Sequence, residues 1–128
     1  MLKKEWRIRR NKDFRRIYRA GKAVPGKYLV VFKRENGISV TRFGFSISKK
    51  FGKAVSRNRR KRILREITRK HMDNIRKGYD IVVVSRLRNE KEIKFADLEK
   101  DFLLVMKRAG LLEGSLDGNI STGNNPSS

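Results

Sequence analysis

The positive charge of this chain is crowded into its first two thirds, and that limits how it can fold. Residues 1–77 hold 27 Lys and Arg against 5 Asp and Glu, residues 78–112 hold 7 against 6, and residues 113–128 hold none against two. Cations at this density repel one another, so the apolar stripes must close a core while the charged faces stay outside. The net charge of +21 over 128 residues is self-repulsive unless a polyanion neutralises it, and nucleic acid is the usual polyanion. An anionic membrane surface is the other candidate. It would favour a spare lipid-facing apolar stripe, and the sequence offers none.

The length suits one domain with one core. No run is apolar enough to span a bilayer, and Met1–Arg10 lacks the apolar centre of a secretory signal. That segment is basic and partly amphipathic, so composition leaves an organelle transit peptide open, with Glu5 and Asp13 arguing against it. The absence of cysteine fits a reducing, cytoplasmic setting. The domain is expected over 1–112. Residues 113–128 (EGSLDGNISTGNNPSS) are poor in large apolar side chains and read as a disordered tail. There are no internal repeats.

Hydrophobic spacing predicts a helix over Asn11–Ala20, capped by Asn11, with Phe14, Ile17 and Tyr18 on one face and Gly21 ending it in a left-handed conformation. Tyr28–Arg34 is β-branched and aromatic, a strand, and Asn36-Gly37 is a turn signal. Arg42–Lys50 is a second strand. It places Phe43, Phe45 and Ile47 on a core face and Gly44, Ser46 and Ser48 on a small, polar, open face. Ser56 is the expected cap of a long helix reaching about Lys77 and ended by Gly78. Ile63, Leu64, Ile67, His71 and Ile75 share one side of it, and Lys61, Arg62, Arg65, Arg69 and Arg76 another. Tyr79–Leu87 is nearly all apolar, as in a central strand buried on both faces. Phe95, Leu98, Phe102, Val105 and Ala109 step by helical spacing to a stop at Gly110. The fold class is α/β, an α+β sandwich: a mixed sheet with three helices in the order α-β-β-α-β-α. Strands 42–50 and 79–87 are candidates for a parallel βαβ crossover.

Catalytic chemistry has little to stand on. His71 is the only histidine and lies on the apolar side of the long helix, a core or boundary position. There is no Cys/His cluster for zinc and no Gly-rich phosphate loop. Asp97, Glu99 and Asp101 read as a solvated helix face with Lys100 and Lys107. No catalytic and no metal-ligating residue of the protein's own is expected.

The strong local signal is residues 49–65 (KKFGKAVSRNRRKRILR), with nine basic side chains and no acid. Cations at a helix start oppose the dipole, a cost offset if phosphates bind the free N–H groups there. Solvated basic helices interleave acids as i,i+4 partners, and here the first acid is Glu66. The second signal is Phe14 with Tyr18, one turn apart among Arg15, Arg16 and Arg19. A core stripe and a stacking platform for unpaired bases are equally good readings of that spacing.

These same residues carry a family likeness. Ser46–Arg62 (SISKKFGKAVSRNRRKR) resembles the signature of the bacterial ribonuclease P protein family: a strand ending in Ser-x-Lys-Lys, then Gly-Asn-Ala-Val, then Arg-Asn-Arg. Asn11–Gly21 is similar to the family's N-terminal helix, and Asp80–Arg86 to its last strand. The resemblance covers about residues 6–112. It implies a left-handed βαβ crossover, against a general prior of about 98% right-handed, and an extra short strand near Lys22–Pro25. It implies that Lys49, Lys50, Lys53, Arg57, Asn58, Arg59, Lys61, Arg62 and Arg65 contact a catalytic RNA. Phe14, Tyr18, Ser46 and Ser48 would line a cleft for the single-stranded 5′ leader of precursor tRNA. Two residues depart from the family pattern. Lys53 stands where Asn is frequent, and Arg60 where the residue is often apolar, so the Arg60 stem is expected to pack with its head reaching water.

The resemblance therefore implies a non-catalytic protein subunit of ribonuclease P. Its partners would be the RNA subunit and precursor tRNA, with no membrane and no small-molecule substrate. The Mg²⁺ of the holoenzyme would be held mainly by RNA, and 5′ maturation of tRNA would be RNA-catalysed. Three rivals remain: another structural RNA-binding protein such as a ribosomal protein or chaperone, a protein-only nuclease, and a duplex DNA binder.

Overall fold

The structure is a computed structural model and describes residues 2–48, 50, 52–86 and 93–113. Helix α1 spans Asn11–Ala20, β1 Lys22–Pro25, β2 Leu29–Glu35, β3 Arg42–Ile47, α2 Ala54–His71, β4 Tyr79–Ser85 and α3 Phe95–Arg108. The three helices and the mixed sheet are those expected, and the short strand at Lys22–Pro25 is present. The Leu87 end of the expected last strand, Lys49 and the tail from 114 onward lie outside the described residues.

The sheet runs β1-β2-β4-β3. β4 is antiparallel to β2 and parallel to β3, so β3, α2 and β4 form the βαβ unit. β1 pairs only with β2, which gives Pro25 an edge strand where its missing N–H breaks no ladder. β4 is the inner, doubly buried strand that its apolar run predicts. Ile81 and Val83 join the larger core under α2 and α3, whereas Val82 joins a smaller cluster with Ile8 and Ile17 under α1. All three are fully buried. Each such side chain contributes roughly 1.5–3 kcal/mol relative to exposure.

Several boundaries differ from expectation. Asn11 is the first helical residue and its side chain makes no cap; Arg10 occupies the cap position. Gly21 is extended (φ −83°), not left-handed. It is needed for close approach instead: a Cβ there would lie 2.4 Å from the Ile17 carbonyl oxygen and 2.9 Å from that of Lys33. Helix α2 begins at Ala54, which puts Ser56 inside the first turn without a capping bond, and ends at His71. A 3-10 turn over Met72–Asn74 follows, and Ile75 leaves the helix to bridge Leu112. Ile75 is buried by that bridge and not by a helical face. Gly78 (φ +95°) turns the chain into β4 and does not end the helix. Gly110 (φ +73°) ends α3 in the left-handed region, as expected.

The acids of α3 are not a solvated face. Asp97 is exposed, but Asp101 is 5% exposed and its carboxylate accepts three backbone N–H bonds, from Lys27 (3.0 Å), Tyr28 (2.9 Å) and Leu29 (3.0 Å). It pins the β1–β2 turn to α3. Glu99 accepts from Lys70 at 2.8 Å and meets His71 Nε2 at 2.7 Å, joining α3 to the end of α2. His71 is a boundary residue, half-buried beside Phe102.

Asp101→Asn removes the anionic acceptor beneath three N–H donors. Charge-assisted bonds of this kind make the expected loss about 2–4 kcal/mol; urea unfolding measures it, and a loss below about 0.5 kcal/mol is incompatible with this role. Glu99 gives a pH prediction. Burial raises its pKa, but the bonds and charges of Lys70 and His71 outweigh that and hold it below the ordinary carboxylate value. A depressed folded pKa adds stability above the unfolded value of about 4.3, lost as pH falls through the folded pKa. Wild type should therefore lose stability more steeply than Glu99→Gln below about pH 4.3. Parallel acid titrations of unfolding free energy make the comparison.

Candidate nucleic-acid interface

Helix α2 presents its apolar stripe inward and its cations outward. Leu64 and Ile67 are fully buried, while Arg59, Arg62 and Arg69 are exposed. Its first turn holds no acid and no side-chain cap. The free N–H groups at that end, with the positive dipole, therefore meet solvent beside exposed Lys50, Lys53 and Asn58. Arg57 is half-buried because its guanidinium donates to the Gly52 carbonyl at 2.7 Å.

Arg60 corrects the sequence expectation. Its head does not reach water: the residue is 6% exposed, and Nη1 donates to Ser85 Oγ at 3.0 Å. Burial pushes the guanidinium below its ordinary pKa. Arg60 thus ties α2 to the end of β4, inside a run of otherwise outward cations.

Strand β3 is a sheet edge, and the N-terminal segment lies along it. Ile8 N–H donates to the Phe43 carbonyl at 2.8 Å, and Arg7 forms a parallel bridge with Phe43. This closes one side of a cleft of about 250 Å³. It is lined by Phe43, Gly44 and Phe45 of β3, by Phe14 of α1 and by Lys61 and Arg65 of α2. Arg7, Ile8 and Arg9 complete it. Two groups of residues that the sequence kept apart, the α1 aromatic and the α2 cations, therefore share one cleft.

The open face of β3 is smaller than its alternation suggests. Gly44 is buried, because the Phe14 ring lies over it: a Cβ at Gly44 would come within 2.6 Å of Phe14 Cε1 and Cζ. Ser46 is half-buried and Ser48 exposed, and neither lines the cleft. Tyr18 stands edge-on to Phe32 of β2 at 5.0 Å with 39% of its surface exposed and does not line the cleft. Burial along this face of α1 differs residue by residue. Ile17 is core, Phe14 is half core and half cleft wall, and Tyr18 is open.

Sequence reading missed Arg7 and Arg9. Both sit in a segment without periodicity, and their position comes from a single strand-edge bridge. The clue that was present is the basic run flanking Ile8, one apolar residue among cations.

The family model described as Ribonuclease P matches residues 2–110. The chain belongs to the ribonuclease P protein family. It is 41% identical over 111 residues to a ribonuclease P protein component of Syntrophomonas wolfei, an alignment covering 87% of this chain and 92% of that one. Among solved structures, the ribonuclease P protein of Staphylococcus aureus superimposes with a TM-score of 0.77 at 36% identity, covering 84% of this chain and 98% of that one. The ribonuclease P protein of Thermotoga maritima gives 0.75 at 38%, with the same coverages. The cleft described above is thus built on a ribonuclease P protein fold.

Gly44→Ala should force the Phe14 ring off the floor of the cleft. A ring at the end of a flexible side chain can move, so the expected stability loss is about 1–3 kcal/mol. Aromatic NMR shifts report the displacement; an unmoved Phe14 ring would show that the contact is not tight.

Proposed function

We propose that this protein is the protein subunit of a bacterial ribonuclease P, acting in 5′ maturation of tRNA in the cytoplasm. The residues at and around the uncapped N-terminus of α2 (Lys50, Lys53, Arg57, Asn58, Arg59, Arg62) bind the RNA subunit; Lys49, outside the described residues, is proposed as a further contact to the same RNA. The cleft walled by Phe14, Lys61 and Arg65 takes the single-stranded leader of precursor tRNA, with Tyr18, Ser46 and Ser48 along its approach. A ring and two cations lining one cleft match what an unpaired nucleotide offers, a flat base and a phosphate. That juxtaposition carries the reading.

The protein itself positions and screens. Lys61 and Arg65 lower the repulsion between leader and RNA subunit, and Phe14 holds a base. The RNA subunit would carry the hydrolysis, with Mg²⁺, when bound to it, supplying Lewis-acid stabilisation and an activated water. Among the described residues no three His, Asp or Glu side chains gather as a metal site. No step of the protein's own action runs through magnesium.

The test is cleavage of precursor tRNA at low Mg²⁺ by a bacterial ribonuclease P RNA, with and without the protein. The protein alone should be inert, and adding it should restore cleavage at the mature 5′ end. Cleavage by protein alone, or no effect on a matched RNA subunit despite RNA binding, sinks the proposal.

A further inference from the structure

Beside the Phe14 cleft lies a larger bowl of about 530 Å³. It shares Arg7 and Arg9 with the cleft and continues past them to Arg10, Lys12, Arg16 and Arg42. Seven cations line it, Lys4 included, against two carboxylates, Glu5 and Asp13. Asp13 is half-buried, lies 3.9 Å from Arg16 and also acts through space on Arg42. The bowl therefore concentrates positive charge that the described residues leave largely unneutralised.

Two of its cations are held in place before any ligand arrives. Arg42 is clamped from behind by Asp80, with Nε to Oδ1 at 2.9 Å and Nη2 to Oδ2 at 2.7 Å. Asp80 is buried, and Asn36 Nδ2 donates to it as well, at 3.0 Å. Both Nη1 protons of Arg42 remain for a ligand, since the fork uses the other nitrogens. Arg7 is fixed by the backbone bridge to β3, and its Nε is buried with no hydrogen-bond partner among the described residues. Fixing the Arg42 side chain in advance lowers the entropy cost of binding.

We propose that this bowl is a phosphate subsite that takes the sugar–phosphate backbone of single-stranded RNA where the strand leaves the Phe14 cleft. The inference rests on that cleft binding a single strand. It adds a path: the strand passes over Arg7 and Arg9, then settles its next phosphates among Arg10, Lys12, Arg16 and Arg42. The bowl offers charge and no aromatic ring, so it should read backbone and not base.

The experiment compares the full-length protein with Arg10→Gln/Lys12→Gln. Both substituted residues are exposed, and neither lines the cleft. Binding is measured against salt for a short unpaired RNA of about 4 nucleotides and a long one of about 12. On the long strand the double variant should lower the slope of log affinity against log salt by about 1.4, two phosphates at about 0.7 each. On the short strand the slope should stay unchanged. An unchanged slope on the long strand overturns the subsite while leaving the cleft reading intact. An equal fall on both strands also overturns it, because the two cations then act only as a diffuse field. If the wild-type protein binds neither strand, the cleft reading itself fails and this inference with it. Inorganic phosphate, followed through the amide resonances of residues 7–16, separates the remaining source. Shifts with free phosphate but no change in the long-strand slope would make the bowl a free-anion site and overturn the RNA path.

Discussion

Ile81, Val82 and Val83 are fully buried although they point alternately to opposite sides of the sheet. A strand can be apolar on both faces only if both faces are covered. β4 therefore demands a layer on each side: α2 and α3 on one, α1 with the N-terminal segment on the other. The βαβ unit and the sheet order follow from that demand. So does the position of β3 at the sheet edge, where the cleft opens.

Scarce acids do much of the joining in so basic a chain. Asp80 holds Arg42, Glu99 links α3 to the end of α2, and Asp101 fastens the β1–β2 turn. Each works where two elements meet, and each is at least partly shielded from water, where a charged bond counts for more. The cations of α2's outer face and of the N-terminal segment are left with few internal partners. Structural and functional charge are thus separated in space: carboxylates at the joints, guanidinium and ammonium groups on the surface that meets RNA in the proposed function.

The cleft and the bowl share an origin. Both exist because residues 7–8 lie along the β3 edge, a short contact made by one backbone hydrogen bond and a bridge. That contact also protects an edge strand that would otherwise offer unpaired backbone groups to other chains. Arg60 shows the opposite case, a cation drawn inward from a basic run because Ser85 supplies an acceptor near the end of β4.

The family and the short strand β1 came from resemblance to known motifs. The pattern of the sequence itself determined the other elements, the central place of β4 and the basic face of α2. These follow from hydrophobic period, β-branched runs and charge, which act over short stretches of chain. It also exposed Phe14 and the residue 49–65 cluster as candidates. Only the tertiary structure decided which candidates meet. Phe14 reaches the cleft because Gly44 leaves room beneath its ring, and Tyr18, one turn away, does not. Lys61 and Arg65 join Phe14 across the β3 edge, and Arg7 and Arg9 enter through a bridge that no periodicity announces. Asp101 reads as a surface acid until its three backbone donors are seen, all more than 70 residues away in sequence. Local pattern fixes which way a side chain leaves its own element. What it then meets depends on distant segments, and the energies that decide it, a single bond or a ring-sized gap, leave no periodic mark on the chain.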